Sequence, residues 1–137
     1  MNGSLISFYV GGGALALYGV GHTLGYATGR AQDRDSEFVR MLKATPSNMP
    51  GVQKSRFHLY EGYSWMTAFM ALAFGLLNLV LAWVAPQLAG SVPLLLVDFL
   101  TAGTAALLAW RYFFLPPLSL ALLATLAYAL GLVWALR

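Results

Sequence analysis

An all-α, integral membrane four-helix bundle with a short interfacial helix in its first loop is the architecture predicted here, and three observations predict it. Apolar residues make up 59% of the 137, above the roughly 45–50% usual in soluble domains. Charged residues are only 9%, and most of them fall between apolar runs. Those runs, Leu5 to Ala27, Leu59 to Ala85, Val92 to Trp110 and Leu118 to Leu136, are broken only by His22, Glu61 and Asp98. Each reaches or nears the roughly 20 helical residues that cross a hydrocarbon core about 30 Å thick. Helices of a soluble bundle would carry a wide polar face, and these runs do not. One transmembrane domain over residues 1–137 is expected.

The first helix is expected over residues 5–27. It does not read as a cleaved signal, because no basic segment precedes it and no small-x-small site ends it. Residues 28–57 form a loop carrying Arg30, Arg34, Arg40, Lys43, Lys54 and Arg56 among Asp33, Asp35 and Glu37. The positive-inside rule makes that loop cytoplasmic and puts both termini outside the cell inner membrane of a bacterium. A loop this long should have structure of its own. In "DSEFVRMLKAT", Asp35 or Ser36 can cap a helix whose Phe38, Met41 and Leu42 share a face, as in an interfacial helix. "TPSNMPG" then stops it with two prolines and a glycine.

The second long helix is expected over 58–85, followed by a tight outer turn at "PQLAGSVP". The third, 92–115, ends where Pro116 and Pro117 force a hairpin into the fourth, 118–136. Tyr26, Tyr60, Tyr63, Trp65, Trp110 and Tyr112 gather at the inner ends, and Tyr9, Trp83 and Trp134 at the outer ends, as interfacial belts do. The net charge of +3 comes from the inner loop and does not point to nucleic acid. With no cysteine, disulfides, thiolate metal sites and cysteine catalysis are excluded.

Polar residues within the runs show how the helices face one another. In "GVGHTLGYATGR", residues 19–30, His22 shares a helix face with Gly11, Leu15, Tyr18, Gly25, Tyr26 and Gly29 at 100° per residue. Gly21, Gly25 and Gly29 form a small-xxx-small series that lets another helix approach. Around Glu61 the second helix reads Ser64, Ala68, Ala71, Gly75 and Asn78. Around Asp98 the third reads Thr101, Ala102, Ala105, Ala109 and Tyr112, and the fourth offers Ala121, Thr125, Tyr128 and Ala129. Small and polar stripes against Leu, Val and Phe faces predict a polar interior with two layers. His22, Glu61 and tyrosines form the inner one; Asp98 and Asn78 form the outer one.

Ionisable groups at membrane depth cost roughly 2.5–3.5 kcal/mol each on insertion scales, which makes them functional candidates. His22, Glu61 and Asp98 are therefore the candidate catalytic residues, suited to acid–base isomerisation or cyclisation. Tyr18, Tyr26, Ser64, Trp65, Asn78, Thr101, Tyr112 and Tyr128 are the candidate ligand-binding residues. The expected partners are the lipid bilayer and a lipophilic small molecule such as an isoprenoid, sterol-like or quinone-like compound, with a homo-oligomer or larger complex open. Plain architecture competes with this: Asp98 bonded to Asn78, Glu61 paired with Arg111 or Arg56, and His22 packed against a carboxylate. Three other functions also compete: a small proton-coupled transporter using the same ionisable groups, an accessory or assembly subunit, and bis-histidine haem ligation by His22 and His58. No metal site or cofactor is expected, since "HLYE" reverses the Glu-x-x-His order of di-metal bundles.

Residues 41–65, "MLKATPSNMPGVQKSRFHLYEGYSW", resemble small, functionally unassigned bacterial four-helix membrane proteins. The shared features are a Pro/Gly-containing inner loop, an aromatic-x-x-Tyr-x-Gly start to the second long helix, and the "GHTLG" segment. The resemblance covers about a third of the chain and implies fold and location only. The layout with inward acids is also similar to that of emopamil-binding sterol isomerases, as an analogy of architecture from which no residue is carried over.

Overall fold

A computed structural model describes residues 3–32, 36–50, 54–112 and 115–137, with residues 30–32 described by their backbone only. Among these the chain forms five α-helices: α1 (Gly3–Gln32), α2 (Glu37–Ala44), α3 (Arg56–Val84), α4 (Val92–Tyr112) and α5 (Leu115–Ala135). A 3₁₀ turn, Pro86–Gly90, joins α3 to α4. All but α2 are long and apolar enough to cross a membrane.

Several boundaries differ from the sequence-based expectation. The first helix exceeds residues 5–27 at both ends: no proline stands in either flank, and the single glycine in each costs a helix only about 1 kcal/mol. The third ends at Tyr112 and the fourth begins at Leu115, before the prolines rather than after them. Pro116 and Pro117 fall in the first turn of α5, where a missing N–H leaves no intrahelical bond unmade. They start a helix here instead of breaking one.

In the first loop, Ser36 caps α2 by accepting a hydrogen bond from the Val39 amide at 3.2 Å. The other candidate cap, Asp35, lies outside the described residues, as do Asp33 and Arg34. Pro46 and Ser55 form an antiparallel bridge that leads the chain into α3. Lys43 lies over the Phe57 ring at 5.2 Å, which docks α2 on the start of α3. The opposite face of α2, with Phe38 and Met41, is exposed.

The long helices are ordered α3–α1–α5–α4, with α1 packed on both α3 and α5 and α4 packed on α5. Neighbours run antiparallel. Between α1 and α3 the backbones nearly touch: a Cβ on Gly19 would lie 2.5 Å from the Leu72 nitrogen, and one on Gly75 would collide with the backbone of Gly12 and Ala16. Close approach therefore uses Gly12, Gly19 and Gly75. The expected series of Gly21, Gly25 and Gly29 meets nothing within 4 Å. Spacing alone does not distinguish a stripe in contact from a stripe beside open space.

Small residues fill the interior of α4 and α5: Ala102, Ala106, Ala109, Ala121, Ala124, Ala127 and Gly131 are buried. Leu96, Val97, Leu100, Leu107, Leu122, Leu126 and Leu130 face outward. This distribution suits packing in lipid, where large apolar groups gain nothing by turning inward and small ones let backbones approach. The 3₁₀ turn touches all four long helices and closes one end of the bundle, with its own Ala89 buried. At the opposite end the helices differ in reach. At 1.5 Å per residue, α1 and α3 run to about 45 Å and α4 and α5 to about 32 Å, so the longer pair projects past the shorter.

Candidate functional site

Two polar regions lie inside the bundle, and they differ in kind. The one nearer the 3₁₀ turn is closed. Asn78 of α3 donates from Nδ2 to Asp98 Oδ1 of α4 at 3.2 Å and to the Tyr128 hydroxyl of α5 at 2.9 Å. All three side chains are at most 1% exposed. Helix α1 completes the layer: Gly11 leaves room for the Tyr128 ring, and Phe8 meets that ring edge-on at 6.1 Å. Asp98 Oδ2 is buried with no hydrogen-bond partner among the described residues. None of the three lines the open cavity of the second region, and their hydrogen bonds tie α3 to α4 and α5.

The second region is an open cavity of about 590 Å³ towards the end of the bundle opposite the 3₁₀ turn. Helix α1 contributes Tyr18, Gly21, His22, Gly25 and Tyr26; α3 contributes Tyr60, Tyr63, Ser64 and Thr67. Tyr112 ends α4 on its edge, and Pro116, Pro117 and Leu120 bring the start of α5. Gly21 and Gly25 create the space by having no side chain to fill it. His22 is half-buried, its imidazole parallel to the Tyr18 ring at 6.3 Å and interacting with the backbone of Ser64. Thr67 donates its hydroxyl to the Tyr63 carbonyl at 2.8 Å, which leaves its oxygen lone pairs for a guest. At the rim, Tyr26 packs against Trp65 at 5.5 Å and Tyr60 at 6.1 Å.

The residues singled out from the sequence thus separate. His22, Tyr18, Tyr26, Ser64 and Tyr112 line the cavity, and Trp65 buttresses its rim. Asn78, Asp98 and Tyr128 belong to the closed layer. Tyr128 lies there because it is more than one turn farther along α5 than Leu120, the cavity residue of that helix. Thr101 is exposed on the outer face of α4, since its angular offset from Ala102 turns it away from α5. Glu61 is half-buried between the cavity residues Tyr60 and Ser64 but does not itself line the cavity. The three candidate catalytic residues therefore do not share one site.

Sequence reasoning missed Tyr60, Tyr63 and Thr67 as lining residues. Their signal was present: positions 60, 63, 64 and 67 follow helical spacing and all carry hydroxyls. His58 sits at the exposed start of α3, 2.8 Å from the Ser55 hydroxyl, so the lining among described residues contains one imidazole rather than the pair that bis-histidine haem ligation needs. No cluster of three or more His, Cys, Asp or Glu side chains suited to a metal occurs among the described residues. No family model, curated protein or solved structure matches the chain.

Proposed function

We propose that this is a multi-pass inner-membrane protein whose inner cavity binds a lipophilic small molecule, of the isoprenoid, sterol-like or quinone-like kind, and orients its polar end at His22. The observation that carries this reading is the cavity itself. Its volume of about 590 Å³ lies within the roughly 300–1,000 Å³ usual for small-molecule sites. Apolar and aromatic walls surround a few convergent polar groups, which is how such sites combine affinity with orientation. Four helices of membrane-crossing length support access from a bilayer. The basic loop supports an orientation with residues 28–57 in the cytoplasm and both termini outside, and the exposed Phe38 and Met41 support α2 lying on the inner leaflet. If the protein is an enzyme, His22 is the lining group able to exchange a proton with the bound molecule; Glu61 lies beside the lining residues and not among them.

The test is native mass spectrometry and organic extraction of the purified protein. A lipid recovered in stoichiometric amount is the expected result. His22→Ala should then retain the fold and weaken binding about fivefold to tenfold, the worth of one hydrogen bond of roughly 1 kcal/mol. Unchanged binding in a folded His22→Ala protein would refute the orienting role. A Soret band in the native protein would redirect the reading to haem.

A further inference from the structure

The lining of the inner cavity also selects among polar ends. Among its described residues there is no Asp, Glu, Lys or Arg; hydroxyls and one imidazole are its polar groups. An ion removed from water without a partner pays several kcal/mol, whereas an alcohol or carbonyl finds donors and acceptors here. A second observation is independent of the first. Helix α5 starts at the cavity, and a helix N-terminus ordinarily attracts anions through its free N–H groups. Pro116 and Pro117 fill the second and third positions of α5 and line the cavity. Having no N–H, they present ring carbons where an anion would need donors. Arg111, next to the lining residue Tyr112, is exposed and lies over the Tyr112 ring at 5.9 Å.

The packing order identifies a route. The seams α1–α3, α1–α5 and α5–α4 are closed by helix packing, but α3 and α4 have no comparable contact along their lengths. They are joined by the 3₁₀ turn and by the Asn78–Asp98 bond. Ala71 of α3 and Ala105 of α4, each seven residues from that bond towards the cavity end, are partly buried and pack against the cluster of Tyr18, Ala106 and Ala121.

We infer that the cavity takes a lipid with an uncharged, hydrogen-bonding head from the bilayer, sideways through the seam between α3 and α4. This deepens the lipophilic-ligand reading and rests on it. Three probes with one tail test the head: farnesol, farnesyl phosphate and farnesylamine, each titrated in the same detergent and read by native mass spectrometry. Farnesol should bind at least tenfold tighter than either charged analogue. Equal or tighter binding of the phosphate or the amine overturns the uncharged head and leaves the lipophilic-ligand reading standing. If none binds while extraction still recovers a stoichiometric lipid, the head of that lipid decides: a charged head overturns the inference and an uncharged one upholds it. If none binds and no lipid is recovered, the ligand reading itself falls.

The route is tested with Ala71→Cys/Ala105→Cys, whose thiols are the only ones in the chain. Bridging them with a bis-maleimide should slow farnesol uptake at least tenfold, while protein loaded before bridging keeps its ligand. Uptake at the unbridged rate overturns the seam. Should the double variant not fold, Ala105→Phe gives the same comparison of uptake rates by narrowing the seam from one side.

Discussion

The Asn78 amide serves acceptors on two other helices, so its removal orphans both at once. Buried groups left unpaired cost roughly 1–3 kcal/mol, while a single interhelical bond in a membrane averages about 0.6 kcal/mol. Asn78→Leu is therefore expected to destabilise the fold by about 1–2 kcal/mol in a denaturant or SDS titration, and Tyr128→Phe by less than half of that. Asp98→Asn should cost least, because the isostere keeps an acceptor for Asn78 and removes the carboxyl whose second oxygen has no partner. If Asp98→Asn instead abolished function in a fully stable protein, the acid would have a role beyond the tie. The sequence marked Asn78 and Asp98 as one layer because both are the polar interruptions of outer half-helices. It could not assign Tyr128 to that layer, since tyrosine suits a cavity wall and a buried tie equally well.

Within the helices, glycine has two opposite uses. Gly75 faces the α1 backbone so closely that any side chain displaces a helix, whereas Gly25 faces open cavity. Gly75→Val should thus cost several kcal/mol through overpacking against backbone, seen as loss of folded protein by size-exclusion chromatography and circular dichroism. Gly25→Leu should leave the helices packed and fill the cavity instead, lowering ligand binding at unchanged thermal stability. A Gly25→Leu protein that lost a dimer and kept its ligand would place this stripe at an interface between copies. Helix existence was legible from the apolar runs and loop breakers, and even the Ser36 cap was among the residues expected. The ends were less legible. A proline pair reads as a stop and as a start, and only the chain beyond it decides which.

For the whole molecule, the split of charge between its two ends predicts orientation. Lys43, Lys54, Arg56 and Arg111 gather at the end where α1 finishes and α3 begins, and Arg137 stands at the other. In intact cells or sealed inverted vesicles, Met49→Cys should react with an impermeant maleimide only from the cytoplasmic face, and Leu136→Cys only from outside. Both positions are exposed, and there is no native thiol to confuse the reading. Reversed labelling would overturn the topology. The sequence showed how many long helices there are and which faces are small. It did not show that α1 sits between α3 and α5 while α3 and α4 stay apart, because packing partners depend on which small face meets which.

The unequal reach of the helices bears on solvent supply. Because α4 ends at Tyr112 and α5 begins at Leu115, the cavity residues Tyr112 and Pro116 lie at the step where α1 and α3 continue alone. On the ligand-binding reading, a guest held there would keep its tail in hydrocarbon and its head among the cavity's hydroxyls, out of water but close to the aqueous end. If His22 exchanges a proton with that guest, the proton would be restored from the nearby aqueous phase, with no wire of hydrogen-bonded groups across the bundle. Turnover would depend on the pH of the compartment at that end and be indifferent to the pH at the other.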